Sequence, residues 1–207
     1  LTEGAFGAHH PDVVPPLNPW ARQAWTGVSS SGSGVAVAAG VAFAAIGSDT
    51  GGSIRFPSAS CALVGLKPTY GRVSLHGAFP LANSLDHLGP MTRCVEDAAQ
   101  LLCVMAGYDP EDPVTARGLG NAPRSYSEVL DKNALAGARI GVMRASMGFK
   151  ANPDAEDFGR VTEVFDIAVK ELVNAGAEVI DPIEIPELQE CLATRTRDVN
   201  EEDESFE

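Results

Sequence analysis

Ser53 closes the run Asp49-Thr50-Gly51-Gly52-Ser53 and is followed by Ile54 and Arg55. A serine hydroxyl attacks a carbonyl productively only when a base takes its proton and donors meet the oxygen that collects negative charge. Glycines beside the serine serve the second need, because successive backbone N–H groups can then point into one small space. A side chain at Gly51 or Gly52 would stand where the carbonyl must approach. Loss of one such donor costs about 3 kcal/mol of transition-state stabilisation. The chemistry suggested is acyl transfer from a carboxamide, a poor electrophile that needs both kinds of help. On composition alone, the same five residues also read as a plain surface turn.

A second loop, residues 27–34, carries Ser29 twenty-four positions before Ser53. By itself it reads as a flexible Gly/Ser linker or as a phosphate loop at a helix start. Neither suits its context. The loop runs straight into residues 35–45, small and apolar on all sides, and it lacks the Lys-Ser or Lys-Thr pair of a P-loop.

Together the two loops resemble the amidase signature family. The order of motifs is Gly27-Val28-Ser29-Ser30-Ser31-Gly32-Ser33, then Gly47-Ser48-Asp49-Thr50-Gly51-Gly52-Ser53-Ile54-Arg55, then Cys61 and Gly65-Leu66-Lys67-Pro68-Thr69. Ser84-Leu85-Asp86-His87-Leu88-Gly89-Pro90 continues it, and the likeness extends more loosely to about residue 190. Val28 and Ser31 stand where the family keeps glycines. The resemblance implies that Ser53 is the nucleophile and that Ser29, behind an unusual cis peptide bond, relays protons. It implies a backbone oxyanion hole from Thr50, Gly51, Gly52 and Ser53, with Asp49 and Arg55 bracing the turn. It also implies hydrolysis of linear amides, C–N bonds other than peptide bonds, through an acyl-enzyme, without cofactor or metal. The family's base is a lysine upstream of the bridging serine. The first lysine here is Lys67, so the resemblance places the base in a segment before Leu1.

Other residues compete for these roles. Lys67 matches a structural lysine of the family. Asp86 and His87 could be drawn into a Ser-His-Asp triad with Ser53, but adjacent side chains diverge and the nucleophile lacks a Gly-x-Ser-x-Gly setting. His9 and His10 have no matching third ligand for a metal, and Cys61 reads as a buried structural thiol. Two further functions stay open: the glutaminase-like component of a tRNA-dependent amidotransferase, and a catalytically silent fragment or binding module. Phe56, where those amidotransferase components often have Gln, favours the hydrolase.

The elements that must position these loops follow from pattern. Residues 1–26, with Pro11, Pro15, Pro16 and Pro19, read as extended and irregular, and residues 46–57 as too glycine-rich for regular structure. Thr92 is a candidate N-cap for a helix with Glu96 and Asp97 in its first turn and Gly107 at its stop. Residues 138–143 read as a strand, Asn152-Pro153 opens a helix that runs to Gly176, and residues 177–181 read as a second strand. Strand, helix and strand in that order imply a right-handed crossover between parallel strands. The expected fold is α/β: the core portion of a mixed, largely parallel twisted sheet covered by helices on both faces. Residues 1–192 would be the central part of a single domain, with 193–207 an acidic mobile segment.

Composition bounds the partners. The 207 residues are 44% hydrophobic without a long uninterrupted apolar run, so no membrane association is expected. Fifteen Lys and Arg against 28 Asp and Glu leave a net charge of −13, which repels nucleic acid. The four cysteines lack CxxC spacing, and a cytoplasmic setting is the default. The expected partner is a small-molecule amide, with a homodimer as an allowed assembly.

Overall fold

The computed structural model describes residues 14–147, 154–188 and 190–191. The chain forms two compact units, residues 1–130 and 131–207. Every residue assigned above to chemistry lies in the first, apart from His9 and His10, which are outside the described residues, as is the 193–207 segment.

The first unit holds α1 (Ser31–Ala38), β1 (Ala45–Ser48), α2 (Arg55–Ser60), β2 (Val64–Gly65), β3 (Leu88–Thr92) and α3 (Val95–Met105). Its three strands lie in the order β1-β3-β2, and both pairings are antiparallel, with Ala45 opposite Met91 and Val64 opposite Thr92. This corrects the largely parallel sheet expected from sequence. The crossover rule was read from one βαβ unit and extended to a region where β3 inserts, reversed, between β1 and β2. Pro90 fits there because its carbonyl faces β2, taking the Leu66 N–H at 3.0 Å, while on the other side it stands opposite Ile46.

Three local readings also shift. The small apolar run is helical only to Ala38, and Gly40 then turns the chain at φ +73°, leaving Val41 and Phe43 exposed. The glycine-rich stretch read as irregular supplies the end of β1 and the start of α2 at its borders. Thr92 is the last residue of β3, its hydroxyl donating to the Cys94 carbonyl at 2.7 Å, and α3 starts three residues later with Glu96 and Asp97 in its first turn.

The core of this unit is small and central. Val37 of α1, Ile54 after the serine turn, Cys61 and Met91 of β3 are fully buried. A Cβ on Gly47 would come within 2.7 Å of the Met91 sulfur and 3.0 Å of both Ile54 and the Ser30 hydroxyl. Gly47 is therefore glycine because α1, β1, β3 and the turn after β1 meet at that point.

β1 lies at the edge of the sheet, and its outward backbone is closed by serines. Ser33 Oγ donates to the Ile46 carbonyl at 3.0 Å, while Ser30 Oγ donates to the Ser48 carbonyl at 3.2 Å and accepts the Ser48 N–H at 3.1 Å. These bonds fix the N-terminal end of α1 against β1.

In the second unit, β4 (Arg139–Gly141) and β5 (Glu178–Ile180) are parallel and joined through α4 (Glu156–Asn174), as the crossover reading requires. Asn152 and Pro153 lie outside the described residues. Gly176 ends the helix region at φ +92°. Arg144 is bonded to Asp181 through Nε at 2.7 Å and stacks on the Phe165 ring of α4 at 5.5 Å.

Candidate active site

The turn between β1 and α2 is built around one carboxylate. Asp49 is fully buried, and its Oδ1 accepts the Gly52 N–H at 2.8 Å while Oδ2 accepts the N–H groups of Ile54 and Arg55 at 3.1 and 3.3 Å. The Arg55 guanidinium closes on both oxygens at 3.0 Å. Burial pushes the Asp49 carboxyl up, but the Arg55 bond and the backbone N–H groups outweigh it and hold it below the usual carboxylate range. Asp49 is also fastened by its own backbone, exchanging two hydrogen bonds with His87 at 2.8 and 3.1 Å. The turn is thus held from inside, from α2 and from the start of β3.

This arrangement changes what the four N–H groups can do. Gly52 spends its N–H on Asp49. The N–H groups of Thr50, Gly51 and Ser53 make no hydrogen bond among the described residues and remain available as donors. Gly52 sits at φ +139°, where a Cβ would strike the Phe56 ring at 2.3 Å; Gly51 is exposed and a Cβ there would meet nothing within 4 Å.

The two serine loops touch. Ser30 N donates to the Ser53 carbonyl at 3.3 Å, and the peptide bond between Val28 and Ser29 is cis. Gly27 reaches this position at φ +77° directly over Pro57, to whose backbone nitrogen a Cβ would approach within 2.4 Å. A cavity of about 360 Å³ opens beside the loops. Ser29, Ser48 and Thr50 line it together with residues drawn from 75–88; Ser53 is half-buried and is not among the lining residues.

A family model described as amidase matches residues 2–204. This chain belongs to the amidase family. The protein AmiD of Mycobacterium tuberculosis is 60% identical over 113 residues, which are 55% of this chain and 24% of AmiD. The GatA-type component of glutamyl-tRNA(Gln) amidotransferase from Deinococcus radiodurans is 43% identical over 179 residues, 86% of this chain and 34% of that protein. Among solved structures, the peptide amidase of Stenotrophomonas maltophilia matches with a TM-score of 0.73 at 40% identity, covering 86% of this chain and 34% of that one. The chain therefore spans between a quarter and about a third of the length of these relatives.

Within this amidase chain the competing bases are accounted for by their bonds. Asp86 makes no side-chain hydrogen bond to His87. Its Oδ1 accepts the Thr50 hydroxyl, and its Oδ2 accepts the N–H groups of Leu81 and Ala82 at 2.8 and 3.0 Å. His87 Nδ1 lies 2.6 Å from the Leu85 carbonyl, which can only accept, so Nδ1 carries the hydrogen and Nε2 accepts from Lys67 Nζ at 3.1 Å. Lys67 and His87 thus serve each other, and the Asp-His couple of a triad is not formed. Cys61 is buried, which pushes its thiol up, and its carbonyl accepts the Trp20 indole N–H at 2.9 Å. Among the described residues no group of His, Cys, Asp and Glu could hold a metal ion, and no helix is long and apolar enough to cross a membrane.

Sequence reasoning missed Ser30 and the bracing role of Asp86. Ser30 holds both Ser48 and Ser53, and its signal was the serine run heading an apolar helix. Asp86 ties Thr50 to the loop lining the cavity; its sequence neighbours gave no hint that it would bond to Thr50 and not to His87.

Gly51 offers a clean separation of folding from chemistry. Gly51→Ala keeps the unfolding midpoint, with a change within about 0.5 kcal/mol, because the added methyl meets no protein atom. On the amidohydrolase reading proposed below, the methyl crowds the donor turn, and kcat/KM of the full-length protein is expected to fall by about 10-fold or more. A variant with unchanged kcat/KM removes the turn from the reaction path.

Proposed function

We propose that the protein carrying this chain is a serine amidohydrolase. The observation that carries the reading is the Ser30 N–H on the Ser53 carbonyl at 3.3 Å, which sets the two serine loops against each other beside a cavity lined by Ser29 and Thr50. Ser53 Oγ adds to the amide carbon while its proton passes to Ser29 and on to a lysine outside these residues. The oxyanion meets the N–H groups of Thr50, Gly51 and Ser53. Collapse expels ammonia or an amine, which takes the proton back, and water hydrolyses the acyl ester by the reverse path. Asp49 and Arg55 hold the turn and do not touch the substrate. The relatives named as amidases and the peptide amidase structure support this reading. Acid quench of the full-length protein during turnover of an ester analogue of an amide, followed by peptide mass analysis, should find the acyl mass on Ser53. Acylation at another residue overturns the assignment.

The likeness to the amidotransferase component at 43% identity supports a second reading, a glutaminase that feeds ammonia to partner chains. Under that reading glutamine is consumed, and the partner chains accelerate its consumption.

A further inference from the structure

Besides Ser29 and Thr50, the cavity is lined by a loop carrying the apolar side chains Leu75, Phe79, Pro80 and Leu81. Phe79 and Leu81 are 93% and 77% exposed. The loop is nevertheless bonded along its length. The Leu75 N–H donates to Asp112 at 2.9 Å, the Leu81 and Ala82 N–H groups donate to Asp86, and the Tyr70 hydroxyl donates to the Asn83 carbonyl at 2.6 Å. Asp86 joins it to the nucleophile turn through Thr50. The loop backbone is therefore tied to that turn, and the Phe79 and Leu81 side chains extend from it into solvent at the cavity.

The two ionisable residues lining the cavity are already engaged. Asp86 gives both oxygens to Thr50, Leu81 and Ala82, and His87 is bonded through both ring nitrogens. Away from the serines and Thr50, a ligand in this cavity meets the hydrocarbon of Leu75, Ala78, Phe79, Pro80, Leu81 and Leu88, with the Asn83 amide as a polar neighbour. The volume of about 360 Å³ lies within the range of small-molecule sites, roughly 300–1,000 Å³.

We infer that residues 75–81 form an acyl subsite that selects carboxamides with an uncharged, apolar acyl group, Phe79 and Leu81 being the residues that determine the preference. The inference rests on the amidohydrolase reading and narrows it. A group seated on Phe79 and Leu81 has its carbonyl directed to the part of the same cavity lined by Thr50 and Ser29. A zwitterionic acyl group such as that of glutamine gains nothing from this apolar lining.

The test is a series of primary amides, acetamide, butyramide and hexanamide, with glutamine alongside, on the full-length protein. We expect kcat/KM to rise by about fourfold per methylene, and Phe79→Ala and Leu81→Ala each to cut the hexanamide-to-acetamide ratio by about tenfold. Both side chains are exposed, so unchanged thermal midpoints are the folding control. A flat series, a preference for glutamine, or variants that lower all amides equally overturns the inference. Titration calorimetry of hexanamide and acetamide into Ser53→Ala reads the preference without turnover. Tighter hexanamide binding that Phe79→Ala abolishes, in a wild-type protein that turns over no amide, sinks the hydrolase reading and keeps the subsite. Equal binding of the two amides sinks the subsite.

Discussion

On the proposed mechanism, Ser53→Ala in the full-length protein should lower kcat by about a million-fold, the scale at which removal of a serine nucleophile collapses covalent catalysis. Ser53 is half-buried and linked to the loop of Ser29 through its carbonyl, and that bond does not involve the hydroxyl. Alanine therefore keeps the Ser30 contact and the Ser53 N–H. Substrate affinity should stay within a few-fold while the chemical step disappears, a split seen by comparing equilibrium binding with single-turnover rate. Turnover retained at the wild-type rate would remove Ser53 from the reaction.

Asp49→Ala acts on the fold of the same turn and should cost about 3–5 kcal/mol in urea unfolding. Three N–H groups, those of Gly52, Ile54 and Arg55, lose their acceptor at a point where the Asp49 side chain is 0% exposed. Arg55→Ala should cost less, about 1–2 kcal/mol, because the Arg55 side chain is 55% exposed and its charge is already shared with water. The order of the two variants is the sharp part of the expectation; equal costs would place the strength in the ion pair and not in the N–H cage. Asp49→Asn keeps one acceptor oxygen and gives an intermediate loss if the alanine variant does not fold.

The same carboxylate gives a pH signature. Its proton affinity is lowered by folding, so the stability it contributes is present above the unfolded carboxylate range and is lost as pH falls through its lower folded value. Wild type should therefore lose stability on acidification more steeply than Asp49→Asn. Parallel curves would mean that Asp49 titrates alike in the folded and unfolded chain.

The roles expected of Asp49, Ser53 and Ser29 came from the motif resemblance, glycines and serines in a fixed order and separation, since composition alone also allowed a plain surface turn. α4 was legible through its repeat of apolar positions. β3 was not, because Leu88-Gly89-Pro90-Met91-Thr92 shows no alternation and places a proline mid-strand, a pattern that argues against a ladder until a neighbour's spacing spares the missing donor. Its antiparallel insertion is a tertiary outcome, set by the burial of Met91 against Gly47 and Ile54. The engagement of the Gly52 N–H could not be read either, since the sequence shows four adjacent donors and hides which of them an internal carboxylate will claim.

The serine hydroxyls on β1 have a consequence for self-association. An open strand edge offers a row of backbone groups on which another chain can template itself. Here the Ile46 carbonyl and both backbone groups of Ser48 are taken by Ser33 and Ser30, so those groups are not offered to another strand. The two hydroxyls act as a short, polar gatekeeper, and replacing them with alanine would expose unpaired strand-edge groups immediately beside the turn that carries Ser53.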